Sequence, residues 1–198
     1  MKSLANTKTL GNLMKAFAGE SQARNRYTIF ASIATKEGFE QIAALFLETA
    51  DNERIHAKIF YKHLVAGLSA TAEPAVVNVQ ADYPVVLGDT LVNLKASAAG
   101  ENEEHSKLYP SFAAVADEEG FPEVAFSFRK IADVEFEHEK RYLKLAENVA
   151  KDEVFKRGEK VAWKCRKCGW VVNSVGAPEK CPACNHPKAH FELHAENF

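Results

Sequence analysis

No cysteine occurs before position 165, and no run of apolar residues approaches the roughly 18 to 20 needed to cross a bilayer. The first absence removes disulfides from most of the chain. The four cysteines present, Cys165, Cys168, Cys181 and Cys184, are crowded together, which suits one metal site in a reducing compartment better than a disulfide framework. The second absence excludes a membrane-spanning helix. The first ten residues also lack the apolar segment of a secretory signal, so a cytoplasmic location is expected. Charge of one sign is lacking as well: 25 Lys and Arg against 27 Asp and Glu leave a formal net charge of -2. With no basic patch, neither nucleic acid nor a membrane surface is an expected partner. What remains, 46% hydrophobic and 26% charged residues in a chain of 198, is the composition of a folded globular protein of one or two domains.

The decision between one and two comes from internal repetition. The segment AFAGE ending at Glu20 recurs as AAGE ending at Glu101, 81 positions on. Glu37-Gly38-Phe39 recurs as Glu119-Gly120-Phe121, and Glu53-Arg54-Ile55-His56 aligns with Glu135-Phe136-Glu137-His138, both now 82 positions on. Residues 1–150 therefore read as two copies of one helical hairpin, four helices in all. Apolar residues at helical spacing support this: Leu13, Phe17, Tyr27 and Ala31, then Ile42, Leu45, Phe60 and Leu64. The second copy has Leu94, Leu108 and Phe112, then Val124, Phe128, Ile131, Tyr142 and Leu145. Gly38 and Gly120 fall where left-handed caps would end the first helix of each pair. The aperiodic stretch from Val65 to Gly88 predicts one long crossover, as in bundles of ferritin-like connectivity. A charged segment over 151–160 reads as a linker. Residues 161–198, rich in Cys, Pro, Gly and Trp, read as a second unit too small to fold without a metal or another staple.

Acidic residues lie in register with the apolar stripes. Glu20 sits between Phe17 and Tyr27, Glu53 before Phe60, Glu135 before Tyr142, and Glu101 and Glu104 follow Leu94 and Ala98. Ionised carboxylates facing inward in a bundle cost several kcal/mol each unless compensated, so the pattern demands a polycation among them. His56 and His138 stand three residues after Glu53 and Glu135, on the same helix faces. One Glu from each of two helices and a Glu-x-x-His from each of the other two is the ligand set described for ferritin-like di-iron and di-manganese bundles. Oxygen-rich ligation with one imidazole per metal suits iron or manganese rather than a closed zinc site. Glu104 breaks the internal symmetry, its counterpart at the first offset being Ala23. Four carboxylates neutralise two divalent ions, and a fifth offsets part of the added charge after oxidation. One iron is thus expected to be held by His56 when reduced and by Glu104 when oxidised. Tyr27, two turns from Glu20, is either a hydroxyl donor to a ligand or to bound peroxide, or a plain core tyrosine. Tyr109 is read the same way with less support.

The cysteines form two Cys-x-x-Cys knuckles, Cys165/Cys168 and Cys181/Cys184, which close a tetrahedral site for iron or zinc. Trp163, Trp170 and Phe191 supply apolar cover. Together these motifs, from GESQARNRY to CPACNHPKAHFEL, make nearly the whole chain resemble the rubrerythrin family. The resemblance implies an all-α ferritin-like four-helix bundle followed by a small β-rich rubredoxin-like unit. It implies two non-haem irons held by Glu20, Glu53, His56, Glu101, Glu104, Glu135 and His138, and one iron held by the four cysteines. It further implies a peroxidase that turns hydrogen peroxide into water with His56, Glu104 and Tyr27 at the reacting centre. Electrons would come ultimately from NAD(P)H, through a reductase or a rubredoxin, and enter at the tetracysteine iron. The working unit would be a head-to-tail homodimer. Iron oxidation and storage, as in ferritins, and a structural zinc ribbon at the C-terminus are the competing expectations.

Overall fold

The computed structural model describes residues 2–68 and 75–197. Helix α1 spans Lys8–Lys36 and α2 spans Glu40–Gly67. A crossover then leads to a rod made of α3 (Thr90–Glu103), a π-helical turn (Glu104–Leu108) and α4 (Tyr109–Glu118), followed by α5 (Pro122–Ala150). The described part of the crossover, 75–88, has no regular structure, as its lack of period predicts; 69–74, with Pro74, lie outside the described residues. The C-terminal unit is an antiparallel three-stranded sheet of order β2-β1-β3, formed by β1 (Lys156–Cys165), β2 (Val171–Gly176) and β3 (Phe191–Leu193). Strand β1 begins at Lys156, inside the charged segment read from the sequence as linker.

The two hairpins reproduce each other down to their caps. Gly38 and Gly120 have φ of +82° and +78°, a conformation without steric cost only for glycine. Phe39 N–H and Phe121 N–H then reach back to the carbonyls of Ala34 and Ala116 at 2.8 and 2.7 Å, which closes the helix ends. The glutamate before each glycine serves the other hairpin. Glu119 accepts from the backbone N–H groups of Lys8 and Thr9 at 2.9 and 2.8 Å, and Glu37 accepts from Thr90 N–H at 3.0 Å. A carboxylate there satisfies orphan donors and meets the positive end of the helix dipole.

The rings follow the same repeat. Tyr27, Phe30, Phe46 and Tyr142 make one cluster, with Tyr27 5.4 Å from Tyr142 and 6.1 Å from Phe46. Tyr109, Phe112, Phe128 and Phe60 make the other, with Tyr109 5.6 Å from Phe60 and 5.8 Å from Phe128. These two plugs of buried rings leave the middle of the bundle for the polar residues. The π turn is where the two hairpins differ. It holds the one additional residue that shifts the repeat from 81 to 82 positions, while α1 runs through the equivalent stretch as unbroken α-helix. The wider turn also moves Leu108 off the apolar stripe expected for it, leaving it 37% exposed.

The C-terminal unit sits against the end of the bundle. Phe155 stacks on Phe39 with centroids 6.1 Å apart, and a β-carbon at Gly38 would lie 3.7 Å from that of Ala189.

The shared cap yields a test. Burial works to raise the Glu119 carboxyl, but its bonds from Thr9 and from the Lys8 and Thr9 backbone outweigh this and hold it below its ordinary value. Glu119→Ala should cost about 1 kcal/mol near neutral pH, measured by chemical denaturation. Because the carboxyl is depressed, the wild-type advantage is full above about pH 4.5 and disappears as acid protonates it. A gap that stays constant down to low pH would contradict the capping role.

Candidate metal centres

Between the aromatic plugs, Glu20 from α1, Glu53 and His56 from α2, Glu101 from α3, and Glu135 and His138 from α5 converge. None of the four glutamates is more than 1% exposed. Their ligand atoms fall into two groups, each within 4.8 Å: Glu20, Glu53, His56 and Glu135, and Glu53, Glu101, Glu135 and His138. Glu53 and Glu135 belong to both groups, so each is placed to bridge two ions. Glu20 and Glu101 are placed as terminal ligands, one to each. His56 Nδ1 lies 2.9 Å from oxygens of both Glu53 and Glu135, and His138 Nδ1 lies 2.7 Å from Glu135 and 3.3 Å from Glu53.

Whether these residues fit a pair of metals is decided by what they leave unpaired. Glu20 Oε2, Glu53 Oε1, Glu101 Oε2, both Glu135 oxygens and His138 Nδ1 are buried without a hydrogen-bond partner among the described residues. The 2.7 Å approach of His138 Nδ1 to Glu135 is not aligned as a hydrogen bond. Orphaned acceptors at this density are rare in a folded core, and two cations would satisfy them together. Without cations, burial and then the neighbouring Glu53 and Glu135 push the Glu20 and Glu101 carboxyls well above their usual range. Burial works against ionised Glu53, but the nearby imidazoles of His138 and His56 outweigh it and hold this carboxyl down at about 2.

Two further side chains orient the ligands. Tyr27 donates to Glu101 Oε1 and Tyr109 donates to Glu20 Oε1, in each case the oxygen turned away from the centre. Both hydroxyls are thus committed to ligands, and burial followed by nearby carboxylates keeps both phenols protonated. Tyr109, weakly supported by the sequence alone, is the equivalent of Tyr27 at the 82-residue offset. Asn52 escaped the sequence reading. Its Oδ1 lies 3.2 Å from His138 Nε2, which places the ring proton there and the Nδ1 lone pair on the metal side. No pattern marks it, because its counterpart in the repeat is Val134.

Glu104 is not brought into either group. It opens the π turn, half-buried, with Oε1 3.8 Å from where a β-carbon on Gly19 would stand. His56 holds the inner position.

In the C-terminal unit the four sulfurs converge, with Cys165 and Cys184 3.7 Å apart and Cys168 and Cys181 3.6 Å apart. Sulfurs at the corners of a tetrahedron with about 2.3 Å metal bonds lie about 3.8 Å from each other, whereas a disulfide needs about 2.05 Å. Gly169 and Asn185, each just after the second cysteine of its pair, have φ of +80° and +60° and turn the chain back. Trp163 and Phe191 are buried beneath the site, while Cys168 is exposed.

Glu53→Ala should therefore abolish loading of the bundle centre and leave the tetracysteine chromophore unchanged. Iron analysis alongside visible spectroscopy checks this, and full iron retention would exclude the bridging assignment.

Comparison with known proteins agrees with this geometry. The family model described as Rubrerythrin matches residues 11–146, and that described as Rubrerythrin, rubredoxin-like domain, matches 163–192. Rubrerythrin-1 of Clostridium acetobutylicum is 57% identical over 198 residues, covering 100% of both chains. Rubrerythrin of Porphyromonas gingivalis is 52% identical, covering 100% of this chain and 95% of its own. Partially reduced nigerythrin superposes with a TM-score of 0.62 at 32% identity, covering 98% of this chain and 92% of that one. A bacterioferritin from Desulfovibrio desulfuricans, at 24% identity over 74% of this chain and 82% of its own, shares the fold with a TM-score of 0.64. With both of its units matched and a buried carboxylate-imidazole cluster that fits a pair of iron ions beside a four-cysteine cluster, this chain belongs to the rubrerythrin family.

Proposed function

We propose that the protein is a peroxidase that reduces hydrogen peroxide to water at the bundle centre, with electrons arriving through the tetracysteine site. The observation that carries this is the pairing, in one chain, of a buried two-ion carboxylate cluster with a thiolate site whose Cys168 edge is exposed. Storage of iron would need no second, electron-carrying site. The bundle, 1–150, holds the iron pair, and the unit 161–198 holds the single iron.

Glu53 and Glu135, shared by both ligand groups, would help hold both ions, Glu20 and Glu101 would each hold one, and His56 and His138 would complete the set. The iron pair, when bound, supplies two electrons in one event, so the O–O bond breaks without release of a one-electron radical. The residues around it hold charge and protons in place. Tyr27 and Tyr109 fix the outer oxygens of Glu101 and Glu20, which restricts the carboxylates to inward binding. Glu104 stands between the ligand set and a surface cleft, so it is the carboxyl positioned to carry protons inward. It would also be the fifth carboxylate available to the oxidised pair, where His56 would serve the reduced one.

An anaerobic titration of the fully reduced protein should consume about 1.5 equivalents of peroxide per chain, since each peroxide takes two electrons and the iron pair and the tetracysteine iron together supply three. In Glu104→Ala, iron should stay bound when reduced and be lost preferentially after oxidation. A stoichiometry of two peroxides per centre, or equal iron loss in both states, would rule out the respective assignment.

The placement of the C-terminal unit supports transfer between chains of a head-to-tail homodimer. His190 approaches Glu40 at 4.0 Å, and Glu40 lies 16 residues before His56, about 24 Å along α2. A partner's tetracysteine unit laid against the bundle would shorten that path, with Cys168 and His56 as its ends. Mixing Glu53→Ala with Cys168→Ser chains should restore donor-driven peroxide reduction once subunits exchange. Verified heterodimers without activity would place transfer within a single chain.

A further inference from the structure

A cleft beside the bundle centre is much larger than hydrogen peroxide requires. It lies between α1 and α3, under residues 80–86 of the crossover, where Tyr83 donates to the carbonyl of Lys15 at 3.0 Å. Its volume is about 730 Å³, and Glu104 and Tyr109 are among the residues lining it. Tyr109 in turn holds Glu20, so the cleft adjoins the ligand set directly. Hydrogen peroxide has two heavy atoms and needs roughly 60 Å³, the share of two waters. The cleft instead falls within the roughly 300–1,000 Å³ of sites that enclose small organic ligands.

Its lining is suited to such a ligand. Ala16, Ala96, Val86, Leu108 and Phe112 present apolar surface to it. Arg26 adds a donor: its Nε is bonded to Gln22 Oε1 at 2.6 Å, but its Nη1, shut off from solvent, has no hydrogen-bond partner among the described residues. Lys15, Asp82 and Glu103 also line the cleft, but apolar surface exceeds polar, and with the spare Arg26 donor and Glu104 adjoining the ligand set it matches a molecule with a hydrocarbon body and a peroxide head.

We propose that this cleft binds organic hydroperoxides, with the alkyl or aryl group against the apolar wall and the O–O group at Glu104, so that the chain reduces them as well as hydrogen peroxide. The proposal rests on the peroxidase reading for its electrons. The O–O bond breaks with uptake of two electrons from the reduced iron pair and two protons, and the products are one alcohol and one water.

The test uses the iron-loaded full chain, cumene hydroperoxide as substrate and cumyl alcohol as an unreactive ligand. Ala96, eight residues and about 12 Å of helix before Glu104, is the position to fill. Ala96→Phe should raise the KM for cumene hydroperoxide about tenfold or more, leave that for hydrogen peroxide within about twofold, and abolish cumyl alcohol binding in calorimetry. Ala99→Leu, an exposed alanine on the same wall, should act in the same direction and serves if the larger side chain disturbs folding. Turnover of hydrogen peroxide without any turnover of cumene hydroperoxide would overturn the proposal, as would equal loss of both activities in the variants. If neither peroxide is turned over, the peroxidase reading itself fails. Calorimetry still decides the cleft in that case, absence of cumyl alcohol binding to wild type counting against it.

Discussion

Four glutamates that face one another out of reach of water are the constraint around which the rest of this molecule is arranged. Burial and mutual repulsion drive the Glu20 and Glu101 carboxyls upward, and only cations at the common centre remove the penalty. The rest of the bundle keeps those four groups from escaping. Two plugs of buried rings exclude water from above and below, so no carboxylate can relax into solvent. Tyr27 and Tyr109 occupy the outward oxygens, so none can rotate away. The rigidity that makes the empty cluster costly is what gives it affinity for metal.

The internal duplication explains why so much of this was visible in the sequence. A motif repeated at a fixed offset carries its own control: a lone Glu-x-x-His is an ordinary helix surface, whereas two at matched positions, each opposite an in-register Glu, are not. The left-handed caps at Gly38 and Gly120 and the change of offset from 81 to 82 were legible in the same way. That the additional residue would be absorbed as a π turn, and not in a loop, was not legible. A helix interior and a loop accommodate an insertion equally well on paper, and only packing against α5 decides between them. Leu108 was assigned to the core for that reason.

Contacts made once, between distant parts of the chain, were hidden. Asn52 behind His138 corresponds to Asp133 at the first offset and Val134 at the second, neither of them an amide. The crossover that roofs the cleft has no period at all, so nothing in its composition shows where it will lie. The symmetry-breaking features gather around the reacting centre: the π turn, Glu104 upon it, and the cleft to one side. Duplication built a symmetric cage, and departures from it give one side an additional carboxylate and an adjoining cleft.

The reciprocal caps have a consequence for how the chain acquires this shape. The start of α1 is completed by Glu119, which belongs to the second hairpin, and the start of α3 by Glu37, which belongs to the first. Each hairpin is contiguous in sequence and caps its leading helix in part, through Thr7 on Leu10 N–H and Asp89 on Val92 N–H, yet the N–H groups of Lys8, Thr9 and Thr90 are met by the other hairpin. The two halves of the repeat therefore form a single cooperative folding unit, joined by contacts more than fifty residues apart in the chain, although each half looks complete by itself.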